Sequence, residues 1–337
     1  MTRGLDLDRA RAWLGSALGV DDPATFAAQQ ITGGRSNLTF VLASGPRRWI
    51  LRRPPLGERL PTAHSMRREY RVLDALAASD VPVPRPCALC EDEALIGAPF
   101  YVMEHVAGRV IRRPADAVDL TPEQGRGCAL ALVDTLAALH TAPYERLGLG
   151  DFGRPDGYME RQVERWHDQL HRSRVRPLPA LDELGARLRG TVPAAAHVAV
   201  LHGDYRIDNV LLDPADPGRV AAVLDWEMAT LGDPLADLGM LLMYWGQAGE
   251  RYAHEIQSVT ALPGFLRRDE VVDRYAQQTG WTLDGLDFYV AFAHFKLAVI
   301  VEGIVARQQA GATVGAGFEG IDEIAPALAT HGLEVVA

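Results

Sequence analysis

The chain has 337 residues, 48% of them hydrophobic, and a formal net charge of −10. This length exceeds that of an ordinary single domain and suits two lobes with a substantial core. The negative charge argues against nucleic acid or an anionic membrane surface as a partner, so we expect a monomer or homodimer that binds neither.

Charge is distributed unevenly along the chain. Residues 1–105 contain 13 basic and 12 acidic side chains, whereas residues 106–337 contain 21 basic and 32 acidic ones. The first part is therefore nearly neutral, and the second part carries most of the negative charge. Because a charged surface attracts ligands of opposite sign, this difference favours a cationic small molecule, such as an amino sugar, as the ligand of the second part.

Cysteine content and hydropathy indicate a cytoplasmic protein. Cys87 and Cys90 form one C-x-x-C pair, but no second pair is present to complete a zinc site. The first residues lack the apolar core of a signal peptide, and no uncharged run reaches the roughly 20 residues of a membrane helix.

The first part of the chain predicts a helix followed by strands. Apolar residues recur at helical spacing between residues 6 and 19, and residues 29–42 predict a strand, a turn and a strand. Gly33 and Gly34 in that turn would let backbone amides approach an anion, and Ser36 adds a hydroxyl. Two glycines between strands usually mark only a hairpin, so the phosphate-binding interpretation depends on motifs further along the chain.

The third predicted strand, residues 48–53, contains a candidate phosphate-binding cation. In an alternating strand, Arg52 shares a face with Ile50, which could cover a nucleotide base, while Arg53 points the other way. The next predicted helix carries Glu69 on its apolar side, where a carboxylate could fix the Arg52 guanidinium. The alternatives are a solvated arginine and a solvated glutamate.

A proline-rich connector at residues 81–86 cannot be helical. The apolar run at residues 100–108 predicts the last strand of the first part, which continues into a hinge. Met103 in that strand would lie behind a nucleotide base. The backbone from Glu104 to Val106 could hydrogen-bond the edge of an adenine. Any buried strand has this appearance, so this interpretation also depends on the other motifs.

Helices are predicted for most of the second part. Thr121 is the expected cap of a helix that extends to residue 140, and residues 150–190 predict further helices. Residues 287–310 form a long apolar helical pattern, which we interpret as a core helix. A second interpretation places Lys296, the single lysine of the chain, or Arg307 near an anionic group of a ligand.

One loop carries the strongest chemical signal. Asp204 precedes Asn209 by five residues, and Asp225 follows the next apolar strand. A hydroxyl that attacks a γ-phosphoryl group needs a carboxylate to orient it and accept its proton, the role predicted for Asp204. Magnesium prefers hard oxygen ligands, here Asn209 and Asp225. His202 and Arg206 complete the predicted catalytic group.

The residues around this loop predict its support. Leu211 and Leu224, in the two short strands, would face the nucleotide base opposite Ile50 and Met103. Asp237, in the following helix, could hold the loop by accepting backbone amide hydrogens. A buried His-Asp pair beside an asparagine can also be a hydrogen-bonded turn without chemistry, but the coincidence of three polar residues with two apolar strands argues against this.

Taken together, the motifs at residues 202–209, 224–227 and 232–238 resemble the aminoglycoside phosphotransferase superfamily. The resemblance is closer to the kinase-like domain of acyl-CoA dehydrogenase fusion proteins and its free-standing bacterial relatives. It implies an α+β, bilobal protein-kinase-like fold. The small lobe, residues 1–105, would contain an antiparallel sheet and one helix, and the larger lobe, residues 106–337, would be mostly helical.

The resemblance also implies function. Members of the superfamily use ATP and Mg²⁺ to phosphorylate hydroxyl groups of choline, homoserine and sugars, and the fused relatives act on hydroxyacyl-CoA thioesters. We therefore predict an ATP-dependent O-phosphotransferase whose acceptor is an amino sugar, an amino alcohol or a hydroxyacyl thioester. Arginine replaces the lysine of many members at position 52, which favours the alternative of a nucleotide-binding regulatory module without turnover.

Overall fold

The computed structural model describes residues 4–31, 37–56, 65–250, 259–311 and 320–337. The predicted phosphate-binding turn with Gly33, Gly34 and Ser36 lies outside the described residues, so its role stays a prediction.

The first part of the chain forms a five-stranded antiparallel sheet with helices on it. Its spatial order is β1-β2-β3-β5-β4. The strands are β1 (Ala27–Ile31), β2 (Leu38–Ser44), β3 (Arg47–Arg53), β4 (Pro86–Cys90) and β5 (Phe100–Glu104). The helices among them are α1 (Leu7–Leu18), α2 (Met66–Leu76) and the short α3 (Glu93–Ile96).

The two faces of this sheet pack against different partners. Because side chains alternate along a strand, Leu51 and Val102 join α1 in one apolar cluster. Ile50 and Met103, which are register partners across β3 and β5, join α2 and the rest of the chain in the other cluster. The sheet face that carries Ile50 therefore packs against the second part of the molecule.

Arg52 and Arg53 divide between these faces as predicted. Arg52 forms an ion pair with Glu69 of α2. Arg53 is 4% exposed and donates hydrogen bonds to the backbone carbonyls of Gly4 and Ile96 on the opposite side. The arginine available to the cleft is therefore Arg52.

Strand β4 differs from the predicted extended connector, because pairing with β5 begins at Pro86, the last residue assigned to that connector. The strand lies at the edge of the sheet, where a proline is tolerated because its missing N–H breaks no ladder bond. Because proline is rare in strands, the prolines of the connector concealed this strand in the sequence.

The second part is mostly helical and contains two short strand pairs, β6 (Ala199–Leu201) with β9 (Thr230–Gly232) and β7 (Val210–Leu212) with β8 (Val220–Val223). Thr121 caps α4 as predicted, and it also forms a capping box with Gln124. The helices are α4 (Pro122–Thr141), α5 (Tyr158–Ser173), α6 (Pro179–Gly190), α7 (Leu235–Tyr244), α8 (Arg268–Thr279), α9 (Leu286–Gln309) and α10 (Ile321–Val335).

Helix α9 is the core helix of this part, as predicted, and it packs against α5, α6, α7 and α10. Within the described ranges it is the one helix long and apolar enough to cross a membrane, yet 72% of its most apolar window is buried in the fold. Its buried Glu302 is paired with Arg176 at 3.0 Å. Most of the apolar surface of α9 is thus used for packing, and Lys296 near its middle contacts the loop between β6 and β7.

Candidate active site

The loop between β6 and β7 is fixed by a buried histidine. His202 is fully buried, and its Nδ1 accepts a hydrogen bond from the backbone N–H of Asp204 at 3.2 Å. Its Nε2 lies 2.7 Å from the carbonyl oxygen of Leu224. The ring therefore ties the loop to the residue before Asp225. This burial makes His202 a positioning residue rather than one that touches a substrate.

Asp237 of α7 holds the same loop from below, as the sequence predicted. Its carboxylate accepts the backbone N–H groups of His202 at 2.6 Å and Gly203 at 2.9 Å. Burial opposes ionisation, but hydrogen bonding from His140 and from these amides holds the pKa of Asp237 below its usual value. Gly203 has φ +85°, and a Cβ there would lie 2.7 Å from Cβ of Met228, so the loop needs glycine at this position.

Asp204 is the accessible carboxylate of the loop, with a side chain 34% exposed. Nδ2 of Asn209 donates to its Oδ2 at 3.0 Å and to its backbone carbonyl at 2.8 Å. Arg206 Nε lies 3.5 Å from Oδ1, and the same guanidinium pairs with Asp208 at 3.2 Å. Asp204 is thus oriented by two neighbours and open on its remaining side.

Asn209 and Asp225 meet across the β7–β8 hairpin. The backbone carbonyl of Asn209 accepts the N–H of Leu224 at 2.8 Å, which brings Asp225 beside Asn209. Because Nδ2 of Asn209 is held by Asp204, its Oδ1 is the atom free for a cation. Asp225 has φ +66°, the one positive φ of a non-glycine residue in the described chain, and such strain clusters at functional sites.

This donor set fits magnesium. Among the described residues, no three His, Cys, Asp or Glu side chains come together as a self-sufficient metal cage. Magnesium does not require one, because it is usually bound by one or two protein oxygens together with water and substrate phosphates. Asn209 and Asp225 are the residues that would hold it.

Arg52 lies at the centre of a buried polar network that spans both parts of the chain. Its Nε is 3.3 Å from Glu69 Oε2, and its Nη2 is 2.8 Å from Asp225 Oδ1. Burial opposes the charge, but Tyr101, Glu69 and Asp225 raise the pKa of Arg52 above its ordinary value. The predicted Arg52–Glu69 pair is therefore present, and the pairing with Asp225 is an addition that the sequence did not suggest.

Glu69 is the anchor of this network. It is 1% exposed and accepts hydrogen bonds from Tyr101 Oη at 3.0 Å and Asn37 Nδ2 at 2.8 Å. The same Asn37 nitrogen lies 3.1 Å from Glu227 Oε2, two residues after Asp225. Asn37 thus links α2 to the turn that follows Asp225.

We expect Glu69→Ala to lower the free energy of unfolding by about 3–5 kcal/mol, the usual result of removing one partner of a buried ion pair. The change leaves Tyr101 Oη without its acceptor and removes one of the two acceptors of Asn37 Nδ2. It also removes one of the two carboxylates that hold Arg52. Urea denaturation measures the effect.

Glu91→Ala is the matched control for that measurement. Glu91 pairs with Arg67 of the same helix at 2.7 Å, but both side chains are largely exposed, at 48% and 70%. Such surface pairs contribute at most about 1 kcal/mol. Equal losses in the two variants would contradict the anchoring role of Glu69.

The residues predicted to bind a nucleotide base come from both parts. Ile50 and Met103 are buried neighbours in the sheet, and Leu211 and Leu224 are half-buried in or beside the hairpin. A Cβ at Gly108 would lie 2.6 Å from that of Leu211, so glycine permits the segment after β5 to approach the β7–β8 hairpin.

The backbone predicted to read an adenine edge is only partly free. The N–H of Glu104 is occupied by the carbonyl of Arg85 at 2.8 Å. Among the predicted contacts, the carbonyl of Glu104 and the N–H of Val106 remain as candidates.

A cavity of about 410 Å³ opens beside Asp204 on the side away from Arg52. Its charged lining groups are Asp204, Arg206 and Lys296, and the rest of its wall is mostly apolar. The apolar wall consists mainly of Met240, Leu297, Ile300, Val301, Ile304 and Ile324. The cavity thus combines a carboxylate with an apolar wall suited to an aliphatic chain.

The sequence favoured a purely structural role for the helix that contains Lys296, with contact to an anionic group of a ligand as the second interpretation. Lys296 Nζ donates a hydrogen bond to the carbonyl oxygen of Gly203 at 3.2 Å and lies 5.7 Å from the Trp166 ring centroid. The single lysine of the chain is therefore next to the catalytic loop, whereas Arg307, the other candidate, is exposed.

Comparison with known proteins identifies a matching family model and a similar curated protein. The family model described as "Phosphotransferase enzyme family" matches residues 27–289. "Acyl-CoA dehydrogenase family member 11" of Gallus gallus is 36% identical over 318 residues, which are 92% of this chain and 40% of that protein. The chain thus spans less than half the length of this curated relative.

Solved structures give the same result for the fold. A crystal structure from Ralstonia eutropha, provisionally assigned as an aminoglycoside phosphotransferase, has 36% identity and a TM-score of 0.85, with 98% of each chain covered. An aminoglycoside phosphotransferase solved with ADP and hygromycin B has 18% identity and a TM-score of 0.60, with 97% and 98% covered. The predicted α+β protein-kinase-like fold is confirmed, while the lobe boundary at residue 105 stays a prediction.

Proposed function

The chain belongs to the phosphotransferase enzyme family, and from this premise we propose that it transfers the γ-phosphoryl group of ATP to a hydroxyl group of a small molecule. The observation that supports the proposal most is the convergence of Asp204, Asn209 and Asp225 on one hairpin next to an open cavity. A carboxylate for the hydroxyl proton and two oxygen ligands for a cation are what this reaction requires.

Asp204 would act on the acceptor. Its Oδ1, the oxygen that is not bonded to Asn209, would orient the hydroxyl and take its proton as the hydroxyl oxygen forms a bond to the γ-phosphorus. The bond between that phosphorus and the bridging oxygen breaks, and ADP leaves with the electron pair. Asn209 holds Asp204 in position through the bond to Oδ2, and His202 and Asp237 fix the loop around it.

Asn209 and Asp225 would hold Mg²⁺, and Arg52 would contact the phosphates. When bound, the cation neutralises charge on the β- and γ-phosphates. Arg52 is held by Glu69 on one side and reaches Asp225 on the other, so its guanidinium lies where a triphosphate meets the metal ligands. Arginine donates two parallel hydrogen bonds to a phosphate, which offers a substitute for the usual lysine.

The shape of the cavity beside Asp204 favours a hydroxyacyl thioester among the three predicted acceptor classes. Its wall is lined by aliphatic side chains of α9, including Ile300 and Ile304. A polyhydroxylated, cationic amino sugar would leave these groups unused and would meet Arg206 and Lys296 at the polar end. The curated relative is named for acyl-CoA chemistry, which agrees with an acyl chain as part of the acceptor.

We expect a medium-chain hydroxyacyl thioester to give a kcat/KM for ADP formation about 10-fold or more above that of choline or kanamycin, since each buried methylene contributes about 0.8 kcal/mol. A coupled assay measures ADP, and ³¹P spectroscopy identifies the product as a phosphate monoester rather than inorganic phosphate. The thioester without its hydroxyl is the control. A preference for kanamycin or choline would overturn this acceptor assignment.

A nucleotide-binding module without turnover is the second candidate. The observation in its favour is Arg52 Nη2 on Asp225 Oδ1 at 2.8 Å, which occupies one oxygen of a predicted metal ligand. Under this alternative, ATP binds with or without Mg²⁺ and no hydroxyl compound releases ADP. Equilibrium binding of ATP measured beside the ADP assay separates the two functions.

A further inference from the structure

A second cavity, of about 250 Å³, adjoins the first one beside the catalytic loop. Among the described residues that line it are four cations and no carboxylate: Arg154, Arg161, Arg165 and Lys296. The chain as a whole has a net charge of −10. Because the chain as a whole is acidic, a cavity that is lined by cations and no carboxylate indicates an anionic ligand.

The arginines of this wall are available to such a ligand. Arg161 and Arg165 are one helical turn apart on α5 and so lie on the same side of it. Arg161 also donates to the backbone carbonyls of Arg154 and Asp156, which fixes the segment before the helix. Across the described ranges, neither Arg154 nor Arg165 has a carboxylate within ion-pair distance.

Lys296 connects the two cavities. It lines both, as do Trp166, Gly203 and Met228. Burial lowers the pKa of its ammonium group, although Asp204 and Asp237 partly oppose this. Only one of its three donors is used by Gly203, and no described carboxylate forms an ion pair with it. An anion in the second cavity would supply the missing counter-charge.

We propose that the second cavity is an anion subsite that binds a phosphate group carried by the acceptor itself. The acceptor hydroxyl would lie beside Asp204 and its phosphate among Arg154, Arg165 and Lys296. Its apolar chain would pass Trp166 and Met228, which line both cavities. Guanidinium groups match phosphate geometry through paired hydrogen bonds. The position of the hydroxyl rests on the function proposed above, but binding of the phosphate does not.

Paired acceptors test the subsite. We expect 8-hydroxyoctyl phosphate to exceed 1,8-octanediol in kcat/KM by about 10- to 100-fold, since a hydrogen bond to a charged group contributes about 1.5–3 kcal/mol. Arg165→Gln is expected to reduce this preference about 10-fold, chiefly through KM. Arg172→Gln, an exposed arginine of the same helix outside both cavities, is the control and should retain the preference.

A second measurement requires no turnover. Because Lys296 is the single lysine, its acetylation by an N-hydroxysuccinimide ester can be followed by mass spectrometry of one peptide. With saturating ADP present to occupy the nucleotide site, we expect 8-hydroxyoctyl phosphate to protect Lys296 and 1,8-octanediol at the same concentration not to do so. Inorganic phosphate should protect only at higher concentrations.

Each outcome decides a separate point. Equal protection by the phosphate and the diol, or an unchanged preference in Arg165→Gln, would show that the cavity is not an anion subsite. Equal protection by inorganic phosphate and 8-hydroxyoctyl phosphate would assign it to a free anion instead of the acceptor. Protection in a protein that never forms ADP would contradict phosphotransfer and leave the anion subsite in place.

Discussion

Asp204→Asn is expected to lower kcat for phosphoryl transfer about 10²- to 10⁴-fold, the usual contribution of a general base, with the Kd of ATP nearly unchanged. Asparagine cannot accept the proton of the hydroxyl. Its amide oxygen can still accept the bond from Asn209 Nδ2, and the bond from Asn209 to the backbone carbonyl is unaffected. The loss should therefore appear in single-turnover rates and not in equilibrium binding.

Asp168→Asn provides the charge-matched control for this variant. Asp168 is an exposed residue of α5, and it lines neither cavity beside the catalytic loop. Its kcat should equal that of the unmodified protein. Normal formation of a phosphate monoester by Asp204→Asn would remove Asp204 from the reaction and with it the proposed mechanism.

The parts of the site that are close in sequence could be predicted from it. Asp204, Asn209 and Asp225 belong to one loop and one hairpin, so their spacing alone brings them together. The support from Asp237 was also predicted, and the structure shows its cause: α7 starts directly after β9, which pairs with β6, the strand that precedes the loop. Contacts between residues that are close in sequence depend on the local geometry of the chain, which leaves few alternative arrangements.

The contacts that join distant segments could not be predicted in the same way. Lys296 reaches Gly203 from a helix 93 residues away, and nothing in an apolar helical pattern shows which turn passes under the loop. The direct pairing of Arg52 with Asp225 also required the structure, because it depends on how the sheet sits on the hairpin.

Net charge was a poor guide to the local site. The acidity of residues 106–337 favoured a cationic ligand, yet the cavities beside Asp204 are lined by Arg206, Lys296 and three arginines near α5. Charge summed over 232 residues describes the long-range field, whereas a ligand meets the few groups that converge on its cavity. The positions of those groups in space cannot be deduced from the amino-acid composition.

Asp225→Asn is expected to abolish the dependence of ATP binding on Mg²⁺. Mutations of groups that merely support metal ligands already weaken metal binding about 10- to 100-fold, so loss of a direct carboxylate should weaken Mg·ATP binding at least as much. Metal-free ATP should bind as well as before or better, because a negative charge near the triphosphate is removed. A fluorescent ATP analogue titrated with Mg²⁺ or with EDTA measures both constants.

Asparagine is the right replacement because of the backbone at this position. With φ +66°, Asp225 occupies the left-handed region that asparagine tolerates and alanine disfavours, so Asp225→Ala would mix strain with loss of the ligand. The metal-free Kd is the internal control: a general loss of structure weakens both binding constants, whereas loss of a metal ligand weakens only the one with Mg²⁺. If the ratio of the two constants stays as in the unmodified protein, Asp225 does not bind the cation, and Arg52 Nη2 on its Oδ1 at 2.8 Å is then a structural ion pair.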